Sequence, residues 1–135
     1  MTLFDSWRRT PSQPQQPAPP PPSRQSEPAE IRVPEITAGE LIPQYEGGTA
    51  PMLLDCREPF EWRQLRIPGS LHIPMNEIPS RLAELDQDQE WVIVCAHGNR
   101  SYAVAGYLIY NGFKATSLAG GVSDWWMHKG ATESG

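Results

Sequence analysis

Short apolar runs alternate along this chain with stretches where apolar residues recur every three or four positions. Met52-Leu53-Leu54-Asp55-Cys56 and Trp91-Val92-Ile93-Val94-Cys95 are continuous runs, the pattern of strands covered on both faces. Glu35-Ile36, Ser70 to Ile73 and Ala115 to Leu118 predict three shorter strands. The intervals between them read as helices. Thr37 with Glu40 three residues on forms a capping box for a helix from Ala38 to about Tyr45, stopped by Gly47-Gly48. Pro59 suits the first position of a helical turn reaching Leu65, and Ile67-Pro68-Gly69 makes a turn. Ile78, Leu82 and Leu85 predict another helix, with Ser80 available as a cap. Ser101 to Tyr110 is apolar on most of its surface and predicts a well-buried helix, closed at Asn111-Gly112. Gly120-Gly121 leads into a last helix, Val122 to His128, with Ser123 or Asp124 placed to cap it. Strands that alternate with helices imply an α/β domain with a mostly parallel central sheet and helices on both faces.

The first 30 residues do not share this pattern. Eight of the fifteen prolines lie between Pro11 and Pro28, with no aromatic or β-branched residue among them. Such a stretch buries too little apolar surface to offset its ordering entropy. Residues 1–30 therefore read as a disordered arm with a Pro/Gln-rich, polyproline II-like linker. Residues 31–130 are the globular domain and 131–135 a flexible tail. Leu3, Phe4 and Trp7 precede Arg8-Arg9; they read either as a frayed terminus or as a docking motif for a protein partner.

The net charge is −5. In the arm, Asp5, Glu27 and Glu30 balance Arg8, Arg9 and Arg24, so the excess sits on the domain. An acidic domain without a basic stripe argues against nucleic acid as a partner. No apolar stretch approaches the roughly 18–20 residues that span a bilayer, and no charged segment followed by an apolar run marks a secretory signal. The expected place is the cytoplasm, with no membrane partner. There Cys56 and Cys95 are expected as free thiols.

The candidate chemistry lies where the second long run ends. Cys95 closes a strand, and Ala96-His97-Gly98-Asn99-Arg100-Ser101 forms a short polar loop before a helix. In open parallel sheets, sites form at the carboxyl ends of strands. The N–H groups of a tight loop and a helix N-terminus favour an anion there. A thiol in such a nest ionises more readily than a free one, whose pKa is about 8.5. Tilting that equilibrium by about 1.4–2.7 kcal/mol is within reach of a few oriented N–H groups. The thiolate is the nucleophile, so the sequence points to covalent cysteine chemistry.

Four motifs in register resemble a single-domain member of the rhodanese-like sulfurtransferase family. They are Leu54-Asp55-Cys56-Arg57-Glu58, Ile67-Pro68-Gly69-Ser70 running to Ile73-Pro74, Cys95 to Ser101, and Leu118-Ala119-Gly120-Gly121 followed by Trp125. The resemblance covers about Glu35 to Lys129. The chain departs from it with Cys56 where the family often has valine, and with Leu65-Arg66 in place of Gly-His. The resemblance implies the three-layer rhodanese fold and a catalytic Cys95. That residue would take sulfane sulfur from thiosulfate or a similar donor and pass it, as a persulfide, to cyanide or a thiol acceptor. It implies no metal or organic cofactor. Related phosphatases use a cysteine-x5-arginine loop; Cys95 to Arg100 is one residue shorter, a smaller cradle that suits sulfur better than phosphate.

Around that nucleophile the residues divide. The loop amides of residues 96–101 are expected to hold the sulfur, with Gly98 letting the backbone turn inward. His97 and Asn99 are expected at the rim. Arg100 reads either as a loop anchor bonded to backbone carbonyls or to an acid such as Asp55 or Glu61, or as an attractor of the anionic donor. Asp55, Arg57 and Glu58 are expected to brace the loop rather than touch substrate. Cys56 should point away from Asp55 by strand alternation; an arsenate reductase-like redox enzyme would use it as a resolving thiol. The rival outside enzymology is a binding module whose thiol is incidental.

Overall fold

A computed structural model describes residues 31–135. The arm of residues 1–30, with its proline-rich linker and Leu3-Phe4-Trp7, lies outside the described residues.

Among the described residues, five strands alternate with four α-helices and a 3-10 segment. They are β1 (Glu35–Ile36), α1 (Ala38–Glu46), β2 (Met52–Asp55), α2 (Pro59–Gln64), β3 (Leu71–His72), a 3-10 segment (Met75–Glu84), β4 (Glu90–Val94), α3 (Asn99–Tyr110), β5 (Lys114–Leu118) and α4 (Gly121–Met127). The strands form one sheet in the order β1-β5-β4-β2-β3, and every pairing is parallel. The apolar run Trp91 to Val94 is the central strand, buried along its length.

Each face of the sheet carries its own core. On one, Leu54, Trp91 and Ile93 pack with Val104, Ala105 and Leu108 of α3 and Ile78 of the 3-10 segment. On the other, Leu53, Val92 and Val94 pack with Ala38 and Leu41 of α1 and Val122 and Trp125 of α4. Alternation along β2 and β4 thus sends successive side chains into different cores. Trp125 is fully buried; its ring meets Tyr45 edge to face at 5.2 Å, and its Nε1–H donates to the Ala131 carbonyl at 2.8 Å. No described helix is long and apolar enough to cross a membrane.

The sequence-level caps are seen at α1. The Thr37 hydroxyl accepts from the Glu40 N–H, and the Glu40 carboxylate accepts from the Thr37 N–H. Three elements differ from expectation. The helix expected over Ile78 to Leu85 is a 3-10 segment that starts at Met75, bends at Arg81 and holds Pro79 inside it. Pro79 has no N–H for an α-helical bond, so the tighter and shorter turns prevail. Ser80 caps nothing downstream; its hydroxyl donates back to the Glu77 carbonyl. Neither Ser123 nor Asp124 caps α4, whose N-cap is Gly120. Finally, α3 is buried on one side only: Tyr102, Tyr107 and Tyr110 form an exposed outer face.

Residues beyond α4 turn back along α2. Arg66 and Glu133 form an antiparallel bridge, and the Arg66 Nε lies 3.0 Å from the Glu133 carboxylate.

Candidate functional site

The segment from Cys95 to Gly98 joins the end of β4 to α3 and is held from below by α4. The carbonyls of Cys95 and Ala96 accept from the N–H groups of Val122 and Ser123, at 2.8 and 3.0 Å. Those are amides of the first turn of α4, which need partners outside their own helix. The approach is close enough to require glycine. A Cβ on Gly121, which has φ +61°, would fall 2.3 Å from the Cys95 carbonyl oxygen. Gly98 has φ +105°, and a Cβ there would meet the Gly120 nitrogen at 3.0 Å. Side chains at either position would push the loop outward.

In this geometry the Gly98 and Ser101 N–H groups turn inward and donate to Cys95 Sγ at 3.1 and 3.2 Å. The sulfur occupies the anion position at the N-terminus of α3. The Ser101 hydroxyl lies 3.3 Å from the same sulfur and 2.8 Å from the Ser117 hydroxyl on β5. Cys95 is only 1% exposed, within the core that also holds Cys56, Ile73 and Ala105. The thiol is thus enclosed by apolar side chains and addressed by two amides and one hydroxyl. Of the loop amides offered by the sequence, those of Gly98 and Ser101 reach the sulfur. Ala96 is half-buried with its carbonyl spent on α4, and His97 and Asn99 are exposed.

Two ion pairs flank the loop. Asp55, fully buried, is gripped by Arg57: Nε lies 3.0 and 3.1 Å from the two carboxylate oxygens, and Nη2 lies 2.8 Å from Oδ2. Arg57 Nη2 also donates to the Leu65 carbonyl at 2.6 Å, tying the end of β2 to the chain after α2. Arg100 pairs with a different acid. Its Nη1 and Nη2 donate to the two carboxylate oxygens of Glu61 at 2.8 and 2.9 Å. Glu61 Oε1 also accepts from the Glu58 N–H at 2.8 Å, closing the first turn of α2. Glu58 itself is exposed.

The Arg100 guanidinium holds the Glu61 carboxyl down at about 2, below its ordinary 4.5. The contribution of this pair to stability is therefore complete above about pH 4.5 and is lost as the pH falls through about 2. Thermal melts of Glu61→Gln across that window should show a shallower acid loss than the parent protein.

Cys56 follows β2, and its N–H donates to the Val94 carbonyl. Its thiol shares the core of Cys95. Burial, then the neighbouring Cys95 and Asp55, push the Cys56 thiol up to about 12. It stays protonated at neutral pH. Ser117 is the site residue that the sequence reading missed. Its place is set by the pairing of β5 with β4, which puts it opposite Ile93, and no local signal in the sequence marks it. Among the described residues, no group of three or more His, Cys, Asp or Glu side chains is placed to hold a metal ion.

This arrangement has relatives. The family described as "Rhodanese-like domain" matches residues 37–128. A protein named "Sulfurtransferase" from Allochromatium vinosum is 36% identical over 95 residues, which are 70% of this chain and 89% of that protein. "Thiosulfate sulfurtransferase GlpE" from Pseudomonas syringae is 37% identical over 75 residues, 55% of this chain and 71% of that one. Among solved structures, a rhodanese-related protein from Thermoplasma volcanium superposes with a TM-score of 0.68 at 32% identity. That match covers 75% of this chain and 98% of the other.

Proposed function

Because this chain belongs to the rhodanese-like domain family, we propose that it is a sulfurtransferase in which Cys95 carries the transferred sulfur. One observation carries the reading: two amides and a hydroxyl converge on Cys95 Sγ within 3.3 Å. Fixed dipoles aimed at one sulfur favour its anion and need no rearrangement when that charge moves outward by one bond.

The cycle consists of two displacements at sulfur. Cys95 thiolate attacks the outer sulfur of thiosulfate or a similar donor. The donor S–S bond breaks, sulfite leaves with its electron pair, and a Cys95 persulfide anion remains. Cyanide or a thiolate then takes the outer sulfur and returns Cys95 to the thiolate. Atoms and charge balance without metal or organic cofactor. Neither step needs a general base, which suits the exposed His97. Ser101 can turn its hydroxyl hydrogen toward the sulfur when it is charged, while the Ser117 hydroxyl donates to Ser101 Oγ.

Cys56 contributes no resolving thiolate at neutral pH, which favours sulfur transfer over a two-thiol redox cycle. Two unpaired thiols also suit a reducing compartment such as the cytoplasm. The direct test is intact-mass and peptide mapping after incubation with excess thiosulfate. The expected result is a gain of about 32 Da on Cys95, one sulfur, removed by cyanide. Unmodified Cys95 would reject the proposal.

A further inference from the structure

The site holds two guanidiniums, and both are spent. Arg57 is neutralised by buried Asp55, and Arg100 gives both Nη groups to the two oxygens of Glu61. The two exposed side chains of the loop itself, His97 and Asn99, supply no fixed cation. The Arg100 side chain remains about one-third exposed and that of Glu61 about one-fifth, so the pair is reachable from solvent. The Glu61 carboxyl, held down at about 2, is charged at every working pH.

We infer that Glu61 is a positioning residue that sets donor specificity: by cancelling the charge of Arg100, it turns the site from dianionic thiosulfate toward organic persulfides carrying at most one negative charge. This rests on the sulfurtransferase reading. An organic persulfide, R–S–S−, loads Cys95 by the same displacement. The Cys95 thiolate bonds to the outer sulfur, the donor S–S bond breaks, and R–S− leaves with the electron pair. No sulfonate group needs a counter-charge. The energy of a donor in the field of a charge scales with the charge it bears. Removing the negative charge of Glu61 should therefore help a dianion twice as much, on a logarithmic scale, as a monoanion.

The experiment compares thiosulfate with the persulfide of 2-mercaptoethanol, a monoanion, in parent protein, Glu61→Gln and the Glu61→Gln/Arg100→Gln double variant. The glutamine amide oxygen can still accept from the Glu58 N–H. In Glu61→Gln, KM for thiosulfate should fall about tenfold and KM for the persulfide about threefold, with kcat little changed. The double variant should return the ratio of the two KM values to that of the parent. Equal changes for both donors, or a double variant that keeps the single variant's ratio, would overturn the inference. The parent protein supplies an independent arm. Its kcat/KM for thiosulfate should fall no more than about twofold between low and physiological salt, because the charge of Arg100 is already neutralised by Glu61. A steep fall with salt would overturn the inference even if the variants misfold. Intact mass separates the two levels: if neither donor loads Cys95, the sulfurtransferase reading fails; if both load but the KM ratios do not move, only the role of Glu61 fails.

Discussion

Cys95→Ser is expected to reduce sulfur transfer by at least about 10^3-fold while the domain stays folded. A serine hydroxyl is not ionised near neutral pH and cannot hold a sulfur as a persulfide, so the loss is one of chemistry. The loop does not depend on the thiol for its shape. Its carbonyls are anchored on the first turn of α4, and Gly98 and Gly121 allow the close approach. Serine retains an acceptor for the Gly98 and Ser101 amides that now meet Sγ. Circular dichroism should therefore superpose on the parent spectrum, while steady-state turnover of thiosulfate and cyanide disappears. Cys56→Ala is the matched control. It removes the second buried thiol of the same core, and turnover should survive it, because that thiol is held protonated. Loss of turnover in Cys56→Ala with Cys95 intact would favour a two-thiol mechanism.

What could be read in the chain was mostly local. The capping box at Thr37, Pro59 opening α2 and the left-handed Gly112 after α3 act through neighbours within four residues, and each stands where the pattern puts it. The continuous apolar run from Trp91 gives a central strand because only a strand flanked on both sides and covered on both faces buries every residue. The loop after it was legible for the same reason: a strand end, a glycine and a helix start are consecutive in sequence. Choices between distant partners were not legible. The chain offers Arg100 more than one partner, and only the fold sets Glu61 against it while Asp55 pairs with Arg57. Ser117 reaches the site only because β5 lies beside β4 with Ser117 opposite Ile93. The spacing of Ile78, Leu82 and Leu85 suits an α-helix, but Pro79 breaks its hydrogen-bond ladder and the segment winds more tightly.

Breaking the Asp55–Arg57 pair should have the largest effect on stability. Arg57→Met is expected to cost about 3–5 kcal/mol, read from urea unfolding, because it strands a carboxylate in the interior. Asp55 has no solvent exposure and Arg57 only 4%. Four of the hydrogen bonds at this corner join the two residues, one of them from the Arg57 backbone N–H. Arg57→Met also leaves the Leu65 carbonyl without its guanidinium donor. The cost is that of an orphaned charge and does not measure the net value of the pair, since two desolvated ions offset much of their own attraction. The double variant Asp55→Leu/Arg57→Met separates the two quantities. It should recover most of the single variant's loss, because no charge is left buried. What it should not recover is activity. Asp55 and Arg57 bracket Cys56 at the end of β2, whose N–H is bonded to the carbonyl of Val94, the residue before Cys95. The ion pair fixes the strand end against which the sulfur loop is built, and a corner repacked with flexible side chains should hold Cys95 less firmly against its two amides. A double variant of near-parent stability and several-fold lower kcat would show the pair acting on geometry. Parent-level kcat would show that the loop needs only its anchors on α4.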